Sequence, residues 1–403
     1  MSSATSPDVP SQAPAELTRN FDYLYDPAVL ADPWDAMDRL RDDAPVVWSP
    51  ELGGYWIVSG ADEVREVSRN WEVFSSNPVT IPPAQKWPRP LNPEELDGDE
   101  HDRYRRLLTP LFSPRAIRPL AESVRDRATR LITAFAGDPG CEFVDQLARP
   151  LPSSVFLGIF GAPVEQADVF TAWVRDLLHS TDENVNAAAG QTIVGYLMET
   201  IAKRQAEPAD DMISALTQME VDGRRLTAEE LLDMTFLLFI AGMDTITNQL
   251  GVITLQLATH PEQQQALRDN PGLIDDALEE LLRLNPIVTP GRRVTRDYVM
   301  NGIEFKKGQM VMIANMGAAR DPKAFPDPLE VKFDRDVSWT TAFGLGSHRC
   351  VGMHLARQEL RIVLELMATL APPYRLAPGA TWNWITADGV WGFDRLDLEF
   401  IRD

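Results

Sequence analysis

Apolar residues recur at three- and four-residue intervals through most of the chain, a period that predicts a mainly helical protein. Pro33 to Arg41 carries Trp34, Met37 and Leu40 at that spacing, and from Asp102 onward Leu107, Leu108, Leu111 and Phe112, then Val124, Ala128, Leu131 and Ile132, continue it. Pro150 and Pro152 break the run, and Val155 to Phe160 is apolar. Phe170 to Leu178 and Ile193 to Ile201 predict two further amphipathic helices, joined by a polar and mobile connection over Ser180 to Asn186. Thr227-Ala228-Glu229-Glu230 has the capping-box form that starts a helix. That helix runs through Leu231, Met234, Leu237, Leu238, Gly242, Thr245 and Leu250 to about Thr259, apolar on nearly every side as a buried central helix is. Another is predicted over Ile274 to Leu284.

The period changes in two places. Tyr55-Trp56-Ile57-Val58 follows the Gly53-Gly54 turn as a short buried strand, and Thr289 to Asn315 contains strand-like runs such as Met310-Val311-Met312-Ile313 after Lys306-Lys307-Gly308. The fold class is therefore mainly α with a small β-rich lobe. Between Asn77 and Pro93 lie Pro78, Pro82, Pro83, Pro88, Pro90 and Pro93, which forbid a regular helix or central strand. A loop of that length is either a lid or binding wall, or a solvated connector. Met1 to Leu17 is rich in Ser, Pro and Ala, without a positive region ahead of an apolar core, and reads as a loose tail rather than a signal peptide. Length gives a soft prior of two or three domains for the rest of the chain and also permits one large helical domain.

Composition narrows the function classes. With 38 Lys+Arg against 60 Asp+Glu among 403 residues, the formal charge is −22, which argues against a nucleic-acid binder. A hydrophobic share of 44% excludes a disordered polymer. The most apolar stretch, Met234 to Gly242, is about nine residues, short of the roughly 18 that span a bilayer, so no membrane partner is expected. Two cysteines, Cys141 and Cys350, are too few for a disulfide framework and fit a reducing cytoplasm, with a single bridge left open.

The strongest chemical signal is Phe343-Gly344-Leu345-Gly346-Ser347-His348-Arg349-Cys350-Val351-Gly352, a glycine-punctuated loop that delivers a cysteine to the start of an amphipathic helix through Leu355, Ile362, Leu366 and Leu370. Helix-start N–H groups favour a thiolate there, and the glycines let the backbone approach a flat ligand. A buried core cysteine is the plainer alternative. The decapeptide resembles the haem-binding signature of the cytochrome P450 family. The resemblance implies haem b (iron protoporphyrin IX), with Cys350 as its axial thiolate and Phe343 and Gly352 framing it.

Three further groups agree in order and spacing. Ala241-Gly242-Met243-Asp244-Thr245 puts an acid and an alcohol inside the central helix. By itself that is equally a threonine bonded to its preceding turn beside a surface aspartate. In the family the matching pair delivers protons to dioxygen, Asp244 relaying them and Thr245 ordering water, while Ala241-Gly242 leaves room for dioxygen. Glu280-Leu281-Leu282-Arg283 is alone an ordinary helix pair; the resemblance joins Glu280 and Arg283 to Arg335 as a structural lock. His101 and Arg105 share a helix face, and the resemblance places them at the haem propionates with Arg292 and His348. One departure is that Gly98 and Asp99 stand where the family has a diproline. His179, His260 and His354 read as structural or surface residues.

The resemblance runs from the Trp34 region to the C-terminus and is closest to the short, soluble bacterial members. It implies insertion of one atom of dioxygen into an organic substrate, with electrons from a ferredoxin and its NAD(P)H-dependent reductase. Arg105 and Arg349 offer a basic patch to such a ferredoxin, or serve only the haem pocket. Matching positions place Leu237, Ile240, Ala241, Val288, Val390 and Trp391 around the substrate, with Trp87 from the proline-rich loop. Such a wall favours a small hydrophobic molecule: a terpenoid, an alkyl-aromatic or a polyketide-like compound. A peroxide-driven haem-thiolate enzyme and a non-catalytic haem sensor are the competing readings.

Overall fold

The computed structural model describes residues 13–83, 88–387 and 389–402. Trp87 and the first twelve residues of the N-terminal tail lie outside them. Within the rest of that tail, Ala15–Leu17 makes a single 3-10 turn, and Thr18 pairs with Trp48. The architecture is mainly helical with a small β-rich lobe, as the periodicity predicts.

In that lobe, α1 (Pro33–Asp43) leads into β1 (Val46–Ser49), β2 (Tyr55–Val58), α2 (Ala61–Arg69) and β3 (Phe74–Ser75). With β4 (Gly291–Val294) and β5 (Met310–Ile313) the strands form one sheet in the order β1-β2-β5-β4-β3, in which β2 and β5 run parallel. Successive side chains point to opposite faces of a strand. Val47, Tyr55, Ile57, Met310 and Met312 therefore enter the main core, while Val46, Trp48, Trp56, Val58, Val311 and Ile313 build a second, smaller one. Burial on both faces explains why these strands read as continuous apolar runs.

The helical part contains α3 (Gly98–Leu108), α4 (Ala121–Phe135), α5 (Pro150–Phe160), α6 (Ala167–His179), α7 (Glu183–Ala206), α8 (Ala228–Thr259), α9 (Ile274–Leu284) and α10 (Met353–Thr369). The Thr227 hydroxyl and Glu230 carboxylate cap α8 reciprocally, so its start falls where the capping box places it. Helix α8 packs against α5, α6, α7 and α10, and its apolar residues from Leu231 on are buried except around Ala241 to Ile246, where it meets a cavity. By length and composition it is the one described helix that passes as a membrane span, with 67% of its most apolar window buried inside the protein. The expected limit of nine apolar residues was too short, because scattered polar residues interrupt a longer apolar average.

Two expectations about helix ends need correction. Pro150 does mark a break, between a π-helical turn over Val144–Ala148 and α5, which it begins at the first position, but Pro152 sits inside the first turn of α5, where a missing N–H breaks no bond. The connection after α6 is only Ser180 to Asp182. Asp182 caps α7 through the Asn184 N–H, and the buried Asn186 amide donates to the carbonyls of Asp176, Leu177 and Ser180. Three bonds from one side chain hold the end of α6 in place, and a polar sequence there serves caps rather than mobility.

Glu280 and Arg283, both fully buried, pair at 2.7 Å, and Arg335 joins Glu280 at 2.9 Å. Lys332 N–H also donates to Glu280, while Arg283 donates to the Ala319 carbonyl. Two guanidiniums share one carboxylate, and their remaining donors are satisfied by backbone carbonyls, so every group of the triad is hydrogen-bonded, the condition under which buried charge is tolerated. Glu359 on α10 is different. It is fully buried, neither carboxylate oxygen has a partner, and burial pushes it up to about 8. Raising the folded-state value of an acid costs stability as pH climbs from the unfolded value toward the folded one. Glu359→Gln should therefore match the parent protein near pH 5 and exceed it by a few kcal/mol at pH 8 to 9, measured by urea unfolding at both pH values.

Candidate active site

The cysteine loop precedes α10, and Cys350 stands three residues before the helix starts at Met353. Gly344 and Gly346 adopt positive φ of 69° and 73°. A Cβ on Gly346 would fall 2.4 Å from the Ser68 carbonyl oxygen, so only glycine lets the loop lie against the end of α2. Cys350 N–H donates to the Phe343 carbonyl at 2.8 Å, closing the loop. The Arg357 guanidinium lies 4.5 Å from the centre of the Phe343 ring. Cys350 Sγ accepts the Gly352 N–H, and the residue's accessible surface lines a cavity. Burial pushes the thiol up; the Gly352 N–H, Arg105 and Arg357 pull it down by less. The expected helix-start stabilisation is thus outweighed by burial, and a metal cation has to displace the proton.

Arginine and histidine side chains converge beside Cys350 from three separate elements, α3, β4 and the cysteine loop itself. Arg292 on β4 is 5% exposed; its guanidinium donates to the Gly291 carbonyl at 2.7 Å, and among the described residues no ion pair reaches it. Burial lowers it to about 10. Arg105 on α3 turns inward and donates to the Arg349 carbonyl, leaving Arg349 alone as the exposed member of the expected basic patch. The His101 and His348 rings lie 4.3 Å apart, with His101 Nδ1 3.0 Å from Asp102 Oδ1. His348 Nε2 is buried without a hydrogen bond, 3.8 Å from Asp97, and burial holds this imidazole down at about 4. Gly98 fits where the family diproline is missing: its φ is +53°, and a Cβ there would strike the Trp71 indole at 2.5 Å.

An unpaired buried guanidinium and an orphaned imidazole nitrogen, beside a thiol at a cavity wall, are the donor set for a flat group with anionic arms and a thiolate-seeking metal. The residues present fit haem on that ground. The arrangement also includes two acids that periodicity did not single out. Asp97 accepts from Ser75 and Ser76, and Glu94 lines the cavity with its carboxyl pushed up by burial. Arg292→Leu should weaken haem retention by about 2 kcal/mol, roughly thirtyfold. Transfer of haem to excess apomyoglobin measures it.

Helix α8 presents Leu237, Ile240, Ala241, Asp244 and Thr245 to the same cavity, which leaves about 1940 Å³ of empty space, open solvent at its mouth included. The Thr245 hydroxyl donates to the Ala241 carbonyl at 3.0 Å. Its proton is thereby engaged, and its lone pairs remain to accept a hydrogen bond from the cavity. Asn248 Nδ2 donates to Asp244 Oδ2 at 2.8 Å, and His179 Nε2 lies 3.4 Å from the same oxygen. Both features of the plainer alternative are therefore present, but on the cavity wall and not at the surface.

Three placements correct the expectations. Gly242 makes no room for dioxygen: it faces α5, where a Cβ would meet the Phe156 ring at 2.4 Å, and only Ala241 borders the cavity. Val288 and Val390 line the cavity, but Trp391 does not. In β6 (Ile385–Ala387) and β7 (Val390–Gly392), neighbouring residues alternate faces, so Trp391 points away and packs 6.2 Å from Tyr23, 1% exposed. His179, taken as structural or surface, reaches Asp244 instead. A lone histidine at the end of an amphipathic helix carried no signal for this.

The fold, the cysteine loop and the acid–alcohol pair across one cavity define a haem-thiolate oxygenase architecture, and the chain belongs to the cytochrome P450 family of monooxygenases, whose family model, "Cytochrome P450", matches residues 33–368. Membership implies a haem-thiolate iron cofactor. Among relatives, the chain is 34% identical to "Probable cytochrome P450 127A1" of Sinorhizobium fredii (92% of each chain) and 32% identical to "Vitamin D(3) 25-hydroxylase" of Pseudonocardia autotrophica (88% of this chain, 90% of the relative). The crystal structure of CYP101J2 superposes with a TM-score of 0.89 at 31% identity, covering 98% of this chain and 99% of that one.

Proposed function

We propose that residues 18–403 act as a single cytoplasmic haem b monooxygenase domain that hydroxylates a small hydrophobic substrate with electrons from a ferredoxin and its NAD(P)H-dependent reductase. The observation that carries this reading is that Cys350, Asp244 and Thr245 line one cavity. Haem, when bound, activates dioxygen so that one oxygen atom enters the substrate and the other leaves as water. Cys350 ligates the iron, Phe343 and Gly352 frame the ring, and Arg105, Arg292, His101 and His348 hold its propionates. Thr245 accepts a hydrogen bond through its lone pairs, and Asp244 takes and gives a proton at its carboxylate. Leu237, Ile240, Ala241, Val288 and Val390 exclude water and orient an apolar molecule of terpenoid, alkyl-aromatic or polyketide-like kind. Arg349, exposed beside the thiol, faces an acidic ferredoxin.

A screen that follows displacement of water from ferric haem tests the substrate class. Apolar compounds of those three kinds should bind and, with a reconstituted ferredoxin chain, give hydroxylated product. Binding without product under oxygen would favour a haem sensor. Product from peroxide alone that survives Thr245→Ala would favour a peroxide-driven enzyme.

A further inference from the structure

We propose that His179 is a positioning residue for Asp244: together with Asn248 it pins one carboxylate oxygen, so that the proton is carried on the other. This rests on the monooxygenase reading above and deepens its proton-handling step. His179 is the last residue of α6, and Leu178 beside it lines the cavity. The end of α6 is immobilised by the buried Asn186 amide, which bonds the carbonyls of Asp176, Leu177 and Ser180, so the imidazole approaches α8 from a fixed base.

Both side chains approach the same atom. Asn248 Nδ2 donates to Asp244 Oδ2 at 2.8 Å, and His179 Nε2 lies at ion-pair distance, 3.4 Å, from that oxygen, while among the described residues no hydrogen bond reaches Oδ1. Asn248 is itself wedged, since a Cβ on Gly392 of β7 would lie 2.2 Å from its amide oxygen. A carboxylate whose Oδ2 is held by the Asn248 amide and faced by the His179 imidazole accepts a proton at Oδ1 and releases it from there. Removing the imidazole leaves one donor on Oδ2, and the carboxylate turns about its side-chain bond. A donor at position 179 is what the geometry requires, in the neutral Nε2–H form or the charged one. Glutamine supplies such a donor and leucine does not.

The test uses the haem-loaded enzyme labelled with 15N-histidine. The His179 Nε2 resonance, assigned by its loss in His179→Gln, should move in Asp244→Asn; an unmoved resonance overturns the contact. Turnover is then compared at saturating substrate. His179→Leu should lower product formation about tenfold, less than the roughly 10² expected for loss of the acid itself, with substrate binding unchanged and the missing electrons found as hydrogen peroxide. His179→Gln should restore product to within about twofold of the parent. Full coupling in His179→Leu, or a glutamine variant as poor as leucine, overturns the proposal. Thr245→Ala separates the two levels. If it releases no more peroxide than the parent enzyme, the proton-relay reading itself fails; if it leaks while His179→Leu does not, only the role of His179 falls.

Discussion

Cys350→Ala is expected to leave a folded protein that has lost its sulfur-ligated absorption spectrum, releases haem faster and forms no detectable product. The thiol sits at the cavity wall with its loop closed by the Cys350 N–H to Phe343 bond, which a methyl side chain leaves intact. The loss should therefore be chemical and not architectural. A thiolate pushes electron density toward iron and favours O–O cleavage, and no other described side chain on that wall supplies it. The checks are the spectrum of the reduced carbonyl complex and the thermal melting curve of the haem-free protein. A variant that keeps the sulfur-type spectrum would remove the basis of the assignment.

Asp244→Asn should cost at least about 10²-fold in kcat while substrate binding stays within about twofold, because asparagine keeps the shape of the side chain and loses the exchangeable acid. Thr245→Ala should behave differently, consuming electrons near the parent rate but returning them as hydrogen peroxide. Its hydroxyl proton is committed to the Ala241 carbonyl, so what the methyl removes is an acceptor on the cavity wall. Thr245→Ser, which keeps that acceptor, should remain coupled. Product, peroxide and NADH measured in one assay distinguish these outcomes. A Thr245→Ala enzyme as productive as the parent would contradict the role given to the hydroxyl.

Much of this architecture was legible where local physics decides. The Thr227 to Glu230 capping box set the start of α8, the apolar stripe of Ile274 to Leu284 matched α9 to the residue, and the short apolar run Tyr55 to Val58 after the Gly53-Gly54 turn marked β2. The spacing of the cysteine loop pointed to Cys350, and the cavity brings it together with His101, Arg105, Arg292 and His348. Illegible were the directions of side chains whose neighbours lie far along the chain. Gly242 and Ala241 are adjacent and similar in size, yet one meets Phe156 and the other the cavity. Val390 and Trp391 divide in the same way, through a strand register set by the Val288–Val390 bridge.

From its amino acids alone, then, this protein's helical period, its caps and the loop that presents a thiol were determined, because each depends on hydrogen bonds and spacings within a few residues. Tertiary structure alone decided that His179 meets Asp244, that Arg292 is buried without an ion pair among the described residues, and that Trp391 turns from the cavity to Tyr23. The physical reason is packing: which of several equivalent side chains touch across α6, α8 and the sheet depends on the volumes filling the space between them, a property of the assembled core and not of any one segment.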